Sequence, residues 1–123
     1  MYESIMIINI FVDGSGGNDS GYGFYIENTG ESFYEKKSNL TNNQAEYMAI
    51  IQALKRIIDI EKEIIIYSDS KVVVSQLNHQ YAINNDTLRL LARDTWSLIK
   101  RHKSVKIIWI SREQNLAGKM LGS

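Results

Sequence analysis

A five-stranded mixed β-sheet flanked by helices is the fold predicted for this chain, and three observations predict it. Apolar, β-rich runs separated by turn residues fill the first third of the sequence. From Thr41 the apolar residues switch to helical spacing. Beyond about residue 60, short apolar runs alternate with helical segments, the pattern of βαβ units. A hairpin-rich start followed by βαβ units requires a mixed sheet with helices packed on it.

The first strand is residues 5–13, IMIINIFVD, ending at Asp13-Gly14. The stretch GSGGNDSG at 14–21 is turn chemistry, with glycines that admit unusual backbone angles and polar residues that bond their own backbone. Residues 22–28 and 32–38 read as two strands joined at Asn28-Thr29-Gly30, completing a three-stranded antiparallel meander. Thr41 and Gln44 have the spacing of a capping box, which starts a helix. Its apolar face, Tyr47, Ile50, Ile51, Leu54, Ile57 and Ile58, carries it through about residue 60. EIIIYSD at 63–69 is a short buried strand, and SKVVVSQLN at 70–78 forms a helix despite its β-branched run. Asn84 to Asp86 offer caps for a second long helix, with Leu88, Leu91, Ala92, Thr95, Leu98 and Ile99 facing inward. VKIIWIS at 105–111 is the fifth strand, and a short segment follows Asn115. If the first and fourth strands are parallel neighbours, the crossover between them is right-handed.

A length of 123 residues predicts one domain, residues 1–123, and 44% hydrophobic content suffices for a core without disulfide or metal staples. The absence of cysteine excludes disulfides, thiolate zinc sites and cysteine nucleophiles. Any metal must therefore be held by oxygen ligands or by one of two histidines. No apolar stretch approaches the length that spans a bilayer. The run from Ile5 to Val12, preceded by Glu3, lacks the basic region and cleavage site of a signal peptide. A cytoplasmic monomer with no membrane partner is expected. The 14 basic and 14 acidic residues cancel. A dedicated nucleic-acid coat would be strongly basic, so this balance predicts modest, salt-sensitive affinity for nucleic acid without excluding an enzyme that acts on it.

Two carboxylates stand out. Asp13 and Asp69 each end an apolar strand immediately before a turn or helix. If those strands are parallel neighbours, their ends share the sheet edge at which open α/β folds place ligand sites. Glu46 lies in the first turns of the long helix and can lean toward the same edge. Each has an ordinary structural alternative: a turn aspartate before Gly14, an N-cap at Asp69, a helix-dipole partner at Glu46. Together, however, three converging carboxylates repel one another unless a cation neutralises them. An all-oxygen site suits magnesium or manganese. Two such ions would serve an in-line phosphodiester displacement.

DGSGG after the first strand, TNNQAEYMAIIQAL at 41–54 and YSDS at 67–70 resemble the three central motifs of the type 1 ribonuclease H family, in the family's order, from about residue 7 to residue 117. The resemblance implies hydrolysis of the RNA strand of an RNA–DNA hybrid through two magnesium or manganese ions, with Asp13, Glu46 and Asp69 as metal ligands. Asn42 and Asn43 match asparagines whose amides read RNA 2′-hydroxyls, the group that separates RNA from DNA. Thr41 matches a contact to the DNA-strand phosphate or simply caps its helix, and Gly14, Ser15 and Ser70 fall close to substrate.

Three departures from the family pattern matter. Its fourth carboxylate, in a pattern like N-x-x-A-D, has no counterpart in SREQNLAGKML, where Gly118 takes the aspartate position. Asn115 is the preferred substitute, as a neutral oxygen ligand. Glu113 swinging in is the second option, and an N-cap role for Asn115 is the structural alternative. No histidine follows His102, so Arg112 is expected to approach the scissile phosphate instead. HQYAINN joins the second and third helices directly, so the basic protrusion of many relatives is absent and grip on the hybrid should be weak. The cluster Lys100-Arg101-His102-Lys103 ends a helix, where the dipole favours cations whether or not phosphates are near. The competing reading is an inactive hybrid-binding module of the same fold.

Overall fold

The computed structural model describes residues 6–121, so Ile5, the first residue of the predicted opening strand, lies outside them. The chain runs β1 (Ile7–Ser15), β2 (Gly21–Ile26), β3 (Ser32–Lys36), α1 (Asn42–Arg56), β4 (Glu63–Ser68), α2 (Lys71–Leu77), α3 (Asp86–Ile99), β5 (Ser104–Trp109), a 3₁₀ turn (Arg112–Gln114) and α4 (Leu116–Leu121). The strands form one sheet in the order β3-β2-β1-β4-β5. β1 pairs with β2, and β2 with β3, antiparallel; β1 pairs with β4, and β4 with β5, parallel. This is the mixed sheet predicted from the pattern of elements.

Strand alternation decides which side chains enter the core. Ile10 and Val12 on β1, Ile64 and Ile66 on β4, Ile107 on β5, and Phe24 and Ile26 on β2 are buried together. α1 lies over β1 and β2 and packs against α3. It contributes Tyr47, Ala49, Ile50, Ala53 and Leu54, all essentially inaccessible to solvent. The Thr41–Gln44 capping box is present in both directions: Gln44 N–H donates to Thr41 Oγ1 at 3.1 Å, and Thr41 N–H to Gln44 Oε1 at 2.9 Å. Asn85 caps α3 through Leu88 N–H, and Ser70 caps α2 through Val73 N–H.

The strands expected at 22–28, 32–38 and 105–111 each end two residues early, and two further boundaries depart in ways that matter for the surface. β1 does not stop at Asp13 but continues to Ser15, because Gly14 and Ser15 pair with Tyr22 and Gly21 of β2. α1 stops at Arg56, several residues early, with Ile57 extended and Ile58 84% exposed rather than on the inner face. β-branched residues at 57, 58 and 60 are weak helix formers. Asp59 also offers the backbone a competing turn, its Oδ1 accepting from Glu61 N–H and its carbonyl from Lys62 N–H. That turn reverses the chain into β4.

Candidate active site

β1 and β4 run parallel until Phe11 pairs with Tyr67. Two residues further along each chain stand Asp13 and Asp69, side by side where the parallel ladder has ended. Val12 and Ser68, one step back, belong to the core-facing series and are fully buried. Gly14 returns to the α1 side, and there the backbones nearly touch. A Cβ on Gly14 would lie 2.4 Å from the carbonyl carbon of Ala45 and 2.6 Å from the nitrogen of Glu46. Only glycine permits that approach, and it delivers Glu46 to the sheet edge. Carboxylate oxygens of Asp13, Glu46 and Asp69 all lie within 4.8 Å of one another.

Glu46 is 2% exposed. Gly14 N–H donates to its Oε1 at 3.0 Å, and the Ser68 hydroxyl donates to its Oε2. Ser68 Oγ also accepts from Ser70 N–H at 3.0 Å, which fixes the hydroxyl in place. No ion pair to Glu46 is found among the described residues. Burial therefore pushes its carboxyl from 4.5 up to about 8, with the charges of Asp13 and Asp69 adding to the rise and the bonds from Ser68 and Gly14 opposing it. A buried acid beside two further carboxylates, all oxygen donors, is a set that fits a hard divalent cation.

Asn115 is fully buried at the same edge. Its Nδ2 donates to Val12 O at 2.8 Å and to Asp69 Oδ2 at 3.0 Å, while its Oδ1 accepts from Ala117 N–H at 3.0 Å. The expected ligand role is thus corrected. The nitrogen faces the carboxylates, and the oxygen a metal would need caps the start of α4. Asn115 ties β1 to β4 where their ladder has ended and holds one oxygen of Asp69. Trp109 Nε1–H anchors the same residue from the other side by donating to Asp69 O at 3.2 Å.

A cleft of about 390 Å³ opens over this edge, lined by Gly14, Ser15, Asn42, Asn43, Glu46, Asp69, Ser70 and Arg112. Every residue expected near substrate lines it except Thr41, which is occupied in capping α1. Asn42 Oδ1 accepts from Gly16 N–H at 2.6 Å, so its amide nitrogen is the end left to a ligand. Glu113 is exposed and does not line the cleft. Ser68 was not singled out from the sequence. Its signal was the alternation of β4, which turns residues 64, 66 and 68 toward α1. α2 ends at Leu77 and α3 begins at Asp86, with no further helix between them.

A family described as reverse transcriptase-like matches residues 20–122. The chain is 28% identical to EbsB of Enterococcus faecalis over 94% of its length and 90% of that protein's. It is 32% identical to a ribonuclease H of Campylobacter jejuni, over 84% of this chain and 77% of the relative. Among solved structures, RNase H1 of the halophilic archaeon Halobacterium salinarum superposes with a TM-score of 0.84 at 27% identity, covering 94% of each chain.

Two outcomes follow from the centre's electrostatics. In metal-free protein the folded state holds the Glu46 proton up to about pH 8, whereas the unfolded chain releases it near 4.5. Stability is undiminished by this group below 4.5 and falls as pH rises through that window. Urea denaturation should show that fall between about pH 5 and pH 8, and Glu46→Gln should remove most of it; a variant that falls as steeply as the parent would assign the dependence elsewhere. Asn115→Asp replaces a donor by an acceptor against Val12 O and Asp69 Oδ2. It should destabilise the metal-free protein by about 2 kcal/mol or more at neutral pH, and unchanged stability would show those two bonds to be dispensable.

Proposed function

Because this chain belongs to the ribonuclease H-like family, we propose that it hydrolyses the RNA strand of RNA–DNA hybrids with magnesium or manganese held by Asp13, Glu46 and Asp69. The observation that carries the proposal is the convergence of those three carboxylates, two of which, Glu46 and Asp69, line a cleft shared with Asn42, Asn43, Ser70 and Arg112. The family supports the reaction type, since a relative 32% identical is named ribonuclease H.

The chemistry supplied by divalent ions in such a site, two of them once substrate is bound, is activation of water and stabilisation of the leaving oxygen in an in-line displacement. The chain's own residues bind and orient. Asp69 would be one of the residues holding a cation, its carboxylate already oriented by the bond from Asn115 Nδ2 to Oδ2. Glu46 would hold such a cation in its ionised form, the positive charge offsetting the burial and the neighbouring carboxylates that favour its protonated form. Asn42 and Asn43, at the first residues of α1, face the cleft with amides suited to RNA 2′-hydroxyls. Arg112 is exposed and lines the same cleft, where its guanidinium can meet a phosphate.

With no protrusion between α2 and α3 and no net charge, affinity for the hybrid should be modest and fall with salt. No helix among the described residues is long and apolar enough to cross a membrane, and a monomeric cytoplasmic enzyme fits the reading. A second reading, a hybrid-binding module without turnover, is favoured by one observation: Gly118 stands where a fourth carboxylate is expected.

Cleavage of an end-labelled RNA–DNA hybrid separates the two, run beside single-stranded RNA, duplex RNA and duplex DNA. The enzyme should cut the hybrid alone, only with magnesium or manganese, and Asp69→Asn should lose at least about a hundredfold in rate. Hybrid binding without cutting in either metal would establish the binding module.

A further inference from the structure

At the opposite end of α1 from the cleft lies a second concavity. Leu54, Ile57, Ile58, Ile60 and Leu98 form its apolar wall, and Lys55, Arg101 and His102 its polar side, around about 160 Å³. The 15 residues of α1 separate its two ends by about 22 Å, so the groove is remote from the carboxylates. Because α1 stops early, Ile58 and Ile60 stand 84% and 52% exposed at the rim instead of joining the core. Two adjacent exposed isoleucines beside an apolar depression are unusual on a folded surface.

The polar side is equally unsatisfied. Nδ1 of His102 is buried and has no hydrogen-bond partner among the described residues. Buried polar atoms are rarely left so. Of the surrounding charges, Arg56 is paired with Glu31 and Lys62 with Asp59, which leaves Lys55 and Arg101 without ion-pair partners among the described residues. Glu61, exposed, is the one remaining acid of the 57–62 turn besides Asp59. The groove therefore presents two cations without ion-pair partners among the described residues beside aliphatic walls.

We propose that this groove docks a short peptide segment of a partner protein in which acidic residues adjoin a large aliphatic side chain. The volume admits one such side chain and is too small for an acyl chain. The acidic residues would meet Lys55 and Arg101. Docking there leaves the cleft open, so the partner would recruit or tether the protein without blocking it. The proposal is independent of the nuclease reading.

The test is fluorescence anisotropy with a set of fluorescein-labelled hexapeptides, four acidic residues followed by two drawn from leucine, isoleucine and phenylalanine. At low salt, members of the set should bind saturably with Kd of about 10–100 μM. Serine in place of the apolar pair should weaken binding at least about tenfold, as should Lys55→Glu combined with Arg101→Glu, or Ile58→Ser alone. All three positions are exposed, so the variants should melt like the parent. No saturation by any member at about 1 mM, equal binding of the serine peptides, or displacement of peptide by RNA–DNA hybrid would overturn the proposal. So would binding of phosphatidylglycerol vesicles, but not peptides, that the same substitutions abolish.

Discussion

Holding three carboxylates within 4.8 Å of one another opposes folding, and much of the structure near the sheet edge exists to sustain that arrangement. Asp13 and Asp69 arrive on neighbouring parallel strands, carried in register by the pairing that ends at Phe11 and Tyr67. Glu46 arrives because Gly14 lets β1 and α1 approach to a distance that no side chain would tolerate. Glu46 and Asp69 are then steadied by neutral donors: Ser68 Oγ and Gly14 N–H on Glu46, Asn115 Nδ2 on Asp69. Neutral donors fix geometry without cancelling charge. A lysine in their place would stabilise the empty site and compete with a cation.

The same logic accounts for the missing fourth carboxylate. Gly118 adds no charge, and Asn115 closes the gap between β1 and β4 by hydrogen bonding. The site consequently offers one carboxylate fewer than the family pattern has, and one of its three, Glu46, has its carboxyl held above the ordinary range by burial. A substrate phosphate brings its own oxygens to such a site, so occupancy and substrate binding should be coupled.

Much of this was legible in the sequence, for definable reasons. Apolar strands leading to Asp13 and Asp69, a change of period at Thr41 and a capping box all express local rules, and the structure has the parallel pair and the capped helix they call for. Readings failed where tertiary contacts decide. Pairing with β2 prolonged β1 beyond Asp13, and the turn at Asp59 cut α1 short, exposing Ile58. The orientation of the Asn115 amide depends on Val12 and Ala117, one of them more than a hundred residues away in sequence, and no local pattern encodes it. Ser68 was accessible through strand alternation, but its partner Glu46 lies on another element.

The central claim is that the metal-free centre stores a proton on Glu46 which a divalent cation displaces. Isothermal titration of manganese into the protein at about pH 7, in buffers of different ionisation enthalpy, measures it directly. Release of about one proton per ion bound is expected, abolished in Glu46→Gln. Tight manganese binding with no proton release would contradict it, because Glu46 would then be already ionised or outside the metal's reach.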